Sequence, residues 1–446
     1  MSDTMKNTLL FGLVAVLILG TGFVQSWNVA VLILNMGLIS AIMALGVNLQ
    51  WGFAGLFNVG VMGFVALGGL AVVLTSMPPS PGAWAAGGAW RIILALGLGA
   101  ATVIAAVMIN KRMPKGRARL ITMLVVLVGG FFLYRAVFDP GVAFVEAITP
   151  AATGNIGGIN PGGVENFKAH GYMTLVGWGF GGVLAAGAAW LIGKTALGLR
   201  SDYLAIATLG IAEIIIAVMK NEDWLARGVK NVIGLPRPVP YEIDLQESPS
   251  FIARAEGLGI DVATASSLTV KLGYSLLFAA VLILIFVAAQ LALKSPWGRM
   301  MRAIRDNEVA AEAMGKDVTR RHLQIFVLGS AVCGIAGAML TTLDGQLTPG
   351  TYQPLRFTFL IWVMVIVGGS GNNLGAVLGG FIIWFFWVQV EPIGLWLMQV
   401  ITAGLDDGSA LKSHLIDSAA HMRLLTMGVI LLLVLRFSPR GLIPEK

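Results

Sequence analysis

The chain is built of long apolar runs separated by short polar breaks. A run of about twenty apolar residues is what an α-helix needs to cross a bilayer's hydrocarbon core. On that basis spans are predicted over 8–25, 29–49, 53–76, 92–110, 120–138, 172–193, 203–220, 272–293, 322–343, 357–370, 374–390 and 422–436, about twelve in all. The runs are continuous and do not alternate over about ten residues, which selects helices over a β-barrel. Several are short or broken by glycine, most clearly around "GGSGNNLGAVLGG" at 368–380, so re-entrant or half-spans can stand among the crossings. The fold class is therefore an all-α polytopic membrane protein of about 10–12 transmembrane helices.

Composition agrees. Of the 446 residues, 57% are hydrophobic and 12% charged, with mean hydropathy +0.83, well beyond an ordinary soluble domain. The 57 glycines fit a bundle in which helices approach closely. Residues 8–25 follow a short polar start as a signal peptide would, but the run is long and a second apolar run follows at once, so it reads as the first span. Three stretches emerge. Residues 1–76 hold the first helices and a glycine block, 77–171 an extra helical pair with an external loop, and 172–446 a core with an external loop at 221–271 and a charged segment at 295–321.

The formal charge of +7 does not indicate nucleic acid, because the basic residues fall in short loops between apolar runs. "KRMPKGRAR" (111–119) has five basic residues and no acid, and 294–321 has seven basic against four acidic. By the positive-inside rule both are cytoplasmic. Alternating crossings then place the N-terminus, 194–202 and the tail "RFSPRGLIPEK" on that side. They leave 77–91, 139–171, 221–271 and 391–420 outside.

Catalytic chemistry is not evident. "GKT" at 193–195 lacks the glycine a phosphate loop needs at Ala188, and a membrane span precedes it where a strand should be. His170, His322, His414 and His421 show no metal spacing, and the one cysteine, Cys333, sits in an apolar run. The sequence implies neither a cofactor nor a metal. Any ATP hydrolysis must come from another subunit.

"RAIRDNEVAAEAMGKDVTRR" (302–321) stands out as charged and helical. Ser295 and Pro296 form a helix start, Asp306 can cap a second short helix with Glu308 in its first turn, Gly315 can stop it, and Asp317 or Thr319 restarts the chain. Ala310, Ala311 and Gly315 leave room for another backbone, and basic neighbours can meet acidic groups. Two readings follow: an interfacial loop on lipid head groups, or a docking helix for a cytoplasmic partner.

"NEVAAEAMGKD" (307–317) resembles the coupling-helix region of ABC importer permeases. The stretches "SDYLAIATLGIAEII" (201–215), "SPWGRMMRAIRDNEVAAEAMGKDVTRRHLQIFVLGSAVCGIAGAML" (295–340), "GGSGNNLGAVLGG" and the terminal tail resemble, in order, the permease subunit of branched-chain amino acid ABC transporters. "ALGVNLQWGFAGLFNVGVMGFVALGG" (44–69) is similar to that family's first glycine block. The resemblance implies an ABC importer permease-type bundle in a bacterial inner membrane, with both termini cytoplasmic. The expected partners are cytoplasmic ABC ATPase subunits, a second homologous permease, an extracytoplasmic solute-binding protein and membrane lipids. It assigns coupling to Arg305, Glu308, Ala310, Ala311, Gly315 and Lys316. Residues 77–171 exceed the family pattern, and "ARGVKNVIGLP" (226–236) departs from it where substrate or binding protein is met. The substrate is expected to be a branched-chain amino acid, with urea or short amides the alternative; an ion-coupled secondary transporter is the reading from another class.

Glu213, midway along a span, costs about 2.5–3.5 kcal/mol in lipid, so it should face protein or water. It can be a structural hydrogen-bonding group or a pathway residue. Asn58, Thr208 and Asn372 are further pathway candidates with the same two readings. Gly371, Gly375 and Gly379 are spaced to form one small-residue helix face for packing. The glycine clusters at 52–69 and 368–380 are expected to correspond in two structural halves.

Overall fold

A computed structural model describes residues 3–148, 171–406 and 409–445. The expected external loop falls largely at 149–170, outside the described residues. Among the described residues nine helices are long and apolar enough to span a membrane, and a tenth is made if a pair bent by 58° near the C-terminus counts as one.

The first crossings are α1 (Asp3–Val24) and α2 (Trp27–Val47), the latter continued by a π-helical turn at Asn48–Gly52. α2 is the most enclosed span. The predicted span 53–76 is not a full crossing. Its helix, α3, runs only Val61–Ser76, because Gly55 turns at φ +70° and the preceding residues form an irregular loop. At 1.5 Å per residue it covers only about 24 Å of a core about 30 Å thick. After α4 (Pro81–Ala85) come α5 (Gly88–Arg112) and α6 (Arg117–Ile148). These two pack mainly on each other, around Ile92, Ala95, Phe138 and Val145, and touch the rest through Trp224. α6 is the least enclosed span, so this hairpin stands beside the bundle.

α7 (Gly171–Ala196) and α8 (Ser201–Asn221) lead to α9 (Asp223–Ala226), strand β1 (Val232–Ile233) and two short helices, α10 (Glu242–Gln246) and α11 (Pro249–Gly257). The 33-residue α12 (Val262–Lys294) returns to the basic loop, which holds α13 (Pro296–Asp306) and α14 (Glu308–Ala313). α15 (Val318–Asp344) is central and packs on α2, α3 and α7. β2 (Gln346–Leu347) pairs antiparallel with β1, tying the far end of α15 to the 221–271 segment.

The predicted span 357–370 is also short: α16 runs Pro354–Gly368. It turns at Gly369 (φ +122°) and Gly371 (φ +78°) into α17 (Asn373–Ile401). α18 (Ala410–Asp417) and α19 (Met422–Phe437) make the bent pair that ends the chain's helices. The two glycine clusters thus both break a helical path at the basic face. The order is reversed, long then short at α2–α3 and short then long at α16–α17.

Glycine lets the helices meet backbone to backbone. A Cβ on Gly68 of α3 would collide with the Gly334 carbonyl of α15, and one on Gly337 with the Val65 carbonyl. Gly375 and Gly379 lie in α17 against the backbone of α16, where a Cβ on Gly379 would strike the Met364 carbonyl. Gly371 does not share their face. It sits in the turn before the helix, against Arg305 and Glu445, because the positive φ at Gly371 ends helical geometry there.

Candidate functional site

The basic loop is shaped by its caps. Ser295 is the N-cap residue of α13, with Pro296 in the first turn as expected, but its hydroxyl donates back to the Ala292 carbonyl (2.6 Å) at the end of α12 and makes no cap bond to α13. Asp306 does not cap α14; that role falls to Asn307, whose Oδ1 accepts from the Ala310 amide at 3.0 Å. Asp306 is instead the last residue of α13 and pairs with Arg305. Gly315 takes φ +73°, and the Lys316 amide donates to the Ala311 carbonyl, closing α14. Asp317 then caps α15 through the Arg320 amide (2.9 Å).

These caps hold α14 out from the bundle. Ala311 is buried and faces inward, while Glu308, Ala310, Gly315 and Lys316 are exposed. Val309 and Met314 are also exposed, 76% and 79%. Two large apolar side chains are thus exposed on one short turn. They were missed in the sequence because apolar letters in a short amphipathic stretch read as its buried face. α13 anchors the turn by burying Met301 and Ile304. Arg305 is half-buried: its guanidinium donates to the Gly52 carbonyl and to Glu445 at 2.7 Å. It is therefore a tie within the protein, placed behind the exposed turn. Beside it lies an open cleft of about 750 Å³ lined by Arg299, Arg302, Arg305, Arg440 and two acids, Asp306 and Glu445.

The pathway candidates sit elsewhere. Asn58 donates to Gln50 Oε1 and accepts from the Gly60 amide, both 2.9 Å, while its carbonyl accepts from Trp362 Nε1. Gln50 in turn donates to Ser330 and to the Phe326 carbonyl. Thr208 accepts from the Val59 amide and donates to the Ala205 carbonyl. Asn372 caps α17 and donates to the Pro444 carbonyl. All three fasten irregular backbone inside the membrane domain, where unpaired groups are costly, and none lines a described cavity. Glu213 faces outward from α8, exposed with Ile206, Gly210, Ile214 and Ala217.

On the face opposite the basic loop, a cavity of about 170 Å³ opens among α2, α3, α15, α16 and α17. Its residues include Asp344, Gln346 and Thr351 at exposed positions and a mainly apolar interior. Sequence reading passed over Asp344 because an acid at the end of a span is the commonplace marker of a membrane boundary.

The sequence profile of the family described as "Branched-chain amino acid transport system / permease component" matches residues 141–435. The chain is 27% identical over 207 residues to the high-affinity branched-chain amino acid transport system permease protein LivM of Escherichia coli (strain K12), covering 45% of this chain and 47% of that protein. It is 27% identical over 248 residues to the probable branched-chain amino acid transport permease protein LivM of Methanocaldococcus jannaschii, covering 56% and 61%. A shorter similarity, 28% over 105 residues, joins it to the fructose import permease protein FrcC of Rhizobium meliloti, covering 23% and 29%. The matched part thus spans from under a third to about three-fifths of each relative's length. No solved structure matches.

Proposed function

Because the chain belongs to the family of branched-chain amino acid transport permease components, we propose that it is the transmembrane subunit of an ATP-driven ABC importer for branched-chain, hydrophobic amino acids. The observation that carries the ATP-driven part is the α13–α14 turn. It presents Val309 and Met314 to water on a base fixed by Arg305 and Ala311. A surface so rigidly displayed suits a soluble protein that pushes on it, and the arginine-lined cleft beside it suits acidic side chains at that contact.

On this reading the face is cytoplasmic and the membrane a bacterial inner one; the excess of basic residues in the loops 111–119 and 294–321 supports that orientation. The opposite face, with the 221–271 segment and the cavity mouth, then meets a solute-binding protein. Glu213 supports a further partner. A carboxylate facing outward near the middle of α8 costs about 2.5–3.5 kcal/mol against lipid, and Gly210 and Ala217 beside it allow close helix approach. A second, related permease subunit covering α8 removes that cost. The chain itself performs no covalent chemistry; the ATPase belongs to a separate subunit.

The test is detergent pull-down of the wild type and of Gly315→Glu from native membranes, with ATPase activity and partner masses measured. Gly315 is exposed and a side chain there meets nothing within 4 Å, but its φ of +73° strains any substituent, a cost of about 1–2 kcal/mol confined to an exposed turn, so the level of the variant in the membrane is measured alongside. Wild type is expected to bring down an ATPase and Gly315→Glu to lose it. Absence of ATPase from well-folded wild type would sink the ABC reading.

A further inference from the structure

We propose that Asp344 and the cavity beneath it form a binding site for a small aliphatic molecule bearing an ammonium group. The inference rests on the amino-acid reading above and names residues for it.

Asp344 makes no hydrogen bond and no ion pair among the described residues, though it lines the cavity. It is the last residue of α15, where the unpaired carbonyls already make the potential negative and an acid is the disfavoured charge. The nearby cation is already engaged: Arg237, whose guanidinium approaches Gly345, is paired with Glu242 at 2.8 Å. An unmatched carboxylate at a negative helix end is a standing attraction for a ligand cation.

The interior fits the other half of such a ligand. Met36, Met43, Met62 and Met364 line it, and flexible thioethers accommodate side chains of different branching. Two further lining residues, Thr348 and Trp384, have buried polar atoms, Oγ1 and Nε1, with no hydrogen-bond partner. In a native protein such groups call for an explanation, and both can donate to the acceptor oxygens of a carboxylate. At about 170 Å³ the cavity is smaller than the roughly 300–1,000 Å³ of pockets for drug-sized ligands, which excludes peptides and nucleotides. The polar mouth and apolar floor orient an amino acid with its charge toward the face opposite the basic loop.

The full chain in nanodiscs is titrated with leucine, 3-methylbutylamine, 4-methylpentanoate and urea, following thermal stability and tryptophan fluorescence, alongside leucine uptake by cells carrying the complete transporter. Leucine and the amine should bind; the acid without an ammonium group and urea should not. Asp344→Asn, close in shape, should weaken both ligands by about tenfold or more, and Asp344→Glu should recover part of the loss. No response to any probe, equal binding of 4-methylpentanoate, or an unchanged Asp344→Asn would overturn the site. If the amine binds through Asp344 but the complete transporter takes up no leucine, the site stands and the substrate reading falls. If leucine uptake is normal and indifferent to Asp344, the reading stands and the site falls.

Discussion

Arg305 and Glu445, 140 residues apart, meet at 2.7 Å on the basic face. Their pair locks the end of α13 to the C-terminal tail, and the same guanidinium donates to the Gly52 carbonyl at the end of the π turn. One side chain thus joins the base of the exposed turn, the break between α2 and α3, and the tail that backs Gly371. The segment that carries α14 is thus tied directly to the two broken helical paths.

Breaking that tie should therefore uncouple before it unfolds. Arg305→Ala leaves a backbone carbonyl and a partly buried carboxylate unpaired, a loss of about 1–3 kcal/mol, and should cut ATP-linked uptake more than it lowers the unfolding temperature. The exchange Arg305→Glu with Glu445→Arg should restore part of the uptake. A double variant no better than the worse single one would remove the pair from the coupling route. Uptake and nanodisc unfolding, measured on the same preparations, decide it.

Helix contact predicts opposite signs for two glycine substitutions. Gly379→Ala drives a methyl group into the Met364 carbonyl, forcing α16 and α17 apart at about 1–3 kcal/mol. Gly187→Ala on the exposed side of α7 meets nothing within 4 Å and should stabilise by about 0.5–1 kcal/mol. Thermal unfolding in nanodiscs reads both.

Glu213→Gln separates a lipid-facing carboxylate from an interfacial one. If another permease subunit covers α8, the variant should insert normally and lose co-purification of that subunit. Equal recovery of the partner with Glu213→Gln and with the bulkier Gly210→Leu would place the interface elsewhere.

What the sequence by itself determined is what local composition controls. A run of apolar residues is a span because of its own hydropathy, so the helical membrane class, most crossings and the charged loop at 295–321 were legible without contacts. Even there, one glycine-rich run misled on length. At 53–60 the letters are apolar enough for a helix, but the backbone turns at Gly55, and hydropathy does not encode φ; at 368–380 the glycines themselves mark the break. The tertiary structure alone decided which polar groups are already satisfied. Asn48 meets Gly371 and Asn373 across more than 300 residues; of the asparagines that read as pathway candidates, Asn58 is bound into Gln50 and Trp362 and Asn372 caps α17. Asp344, at the exposed mouth of the cavity, is left unpaired because the neighbouring segments β2 and α16 bring no cation to it. Whether a polar side chain is free or engaged depends on partners brought by distant segments, and only the folded chain supplies them.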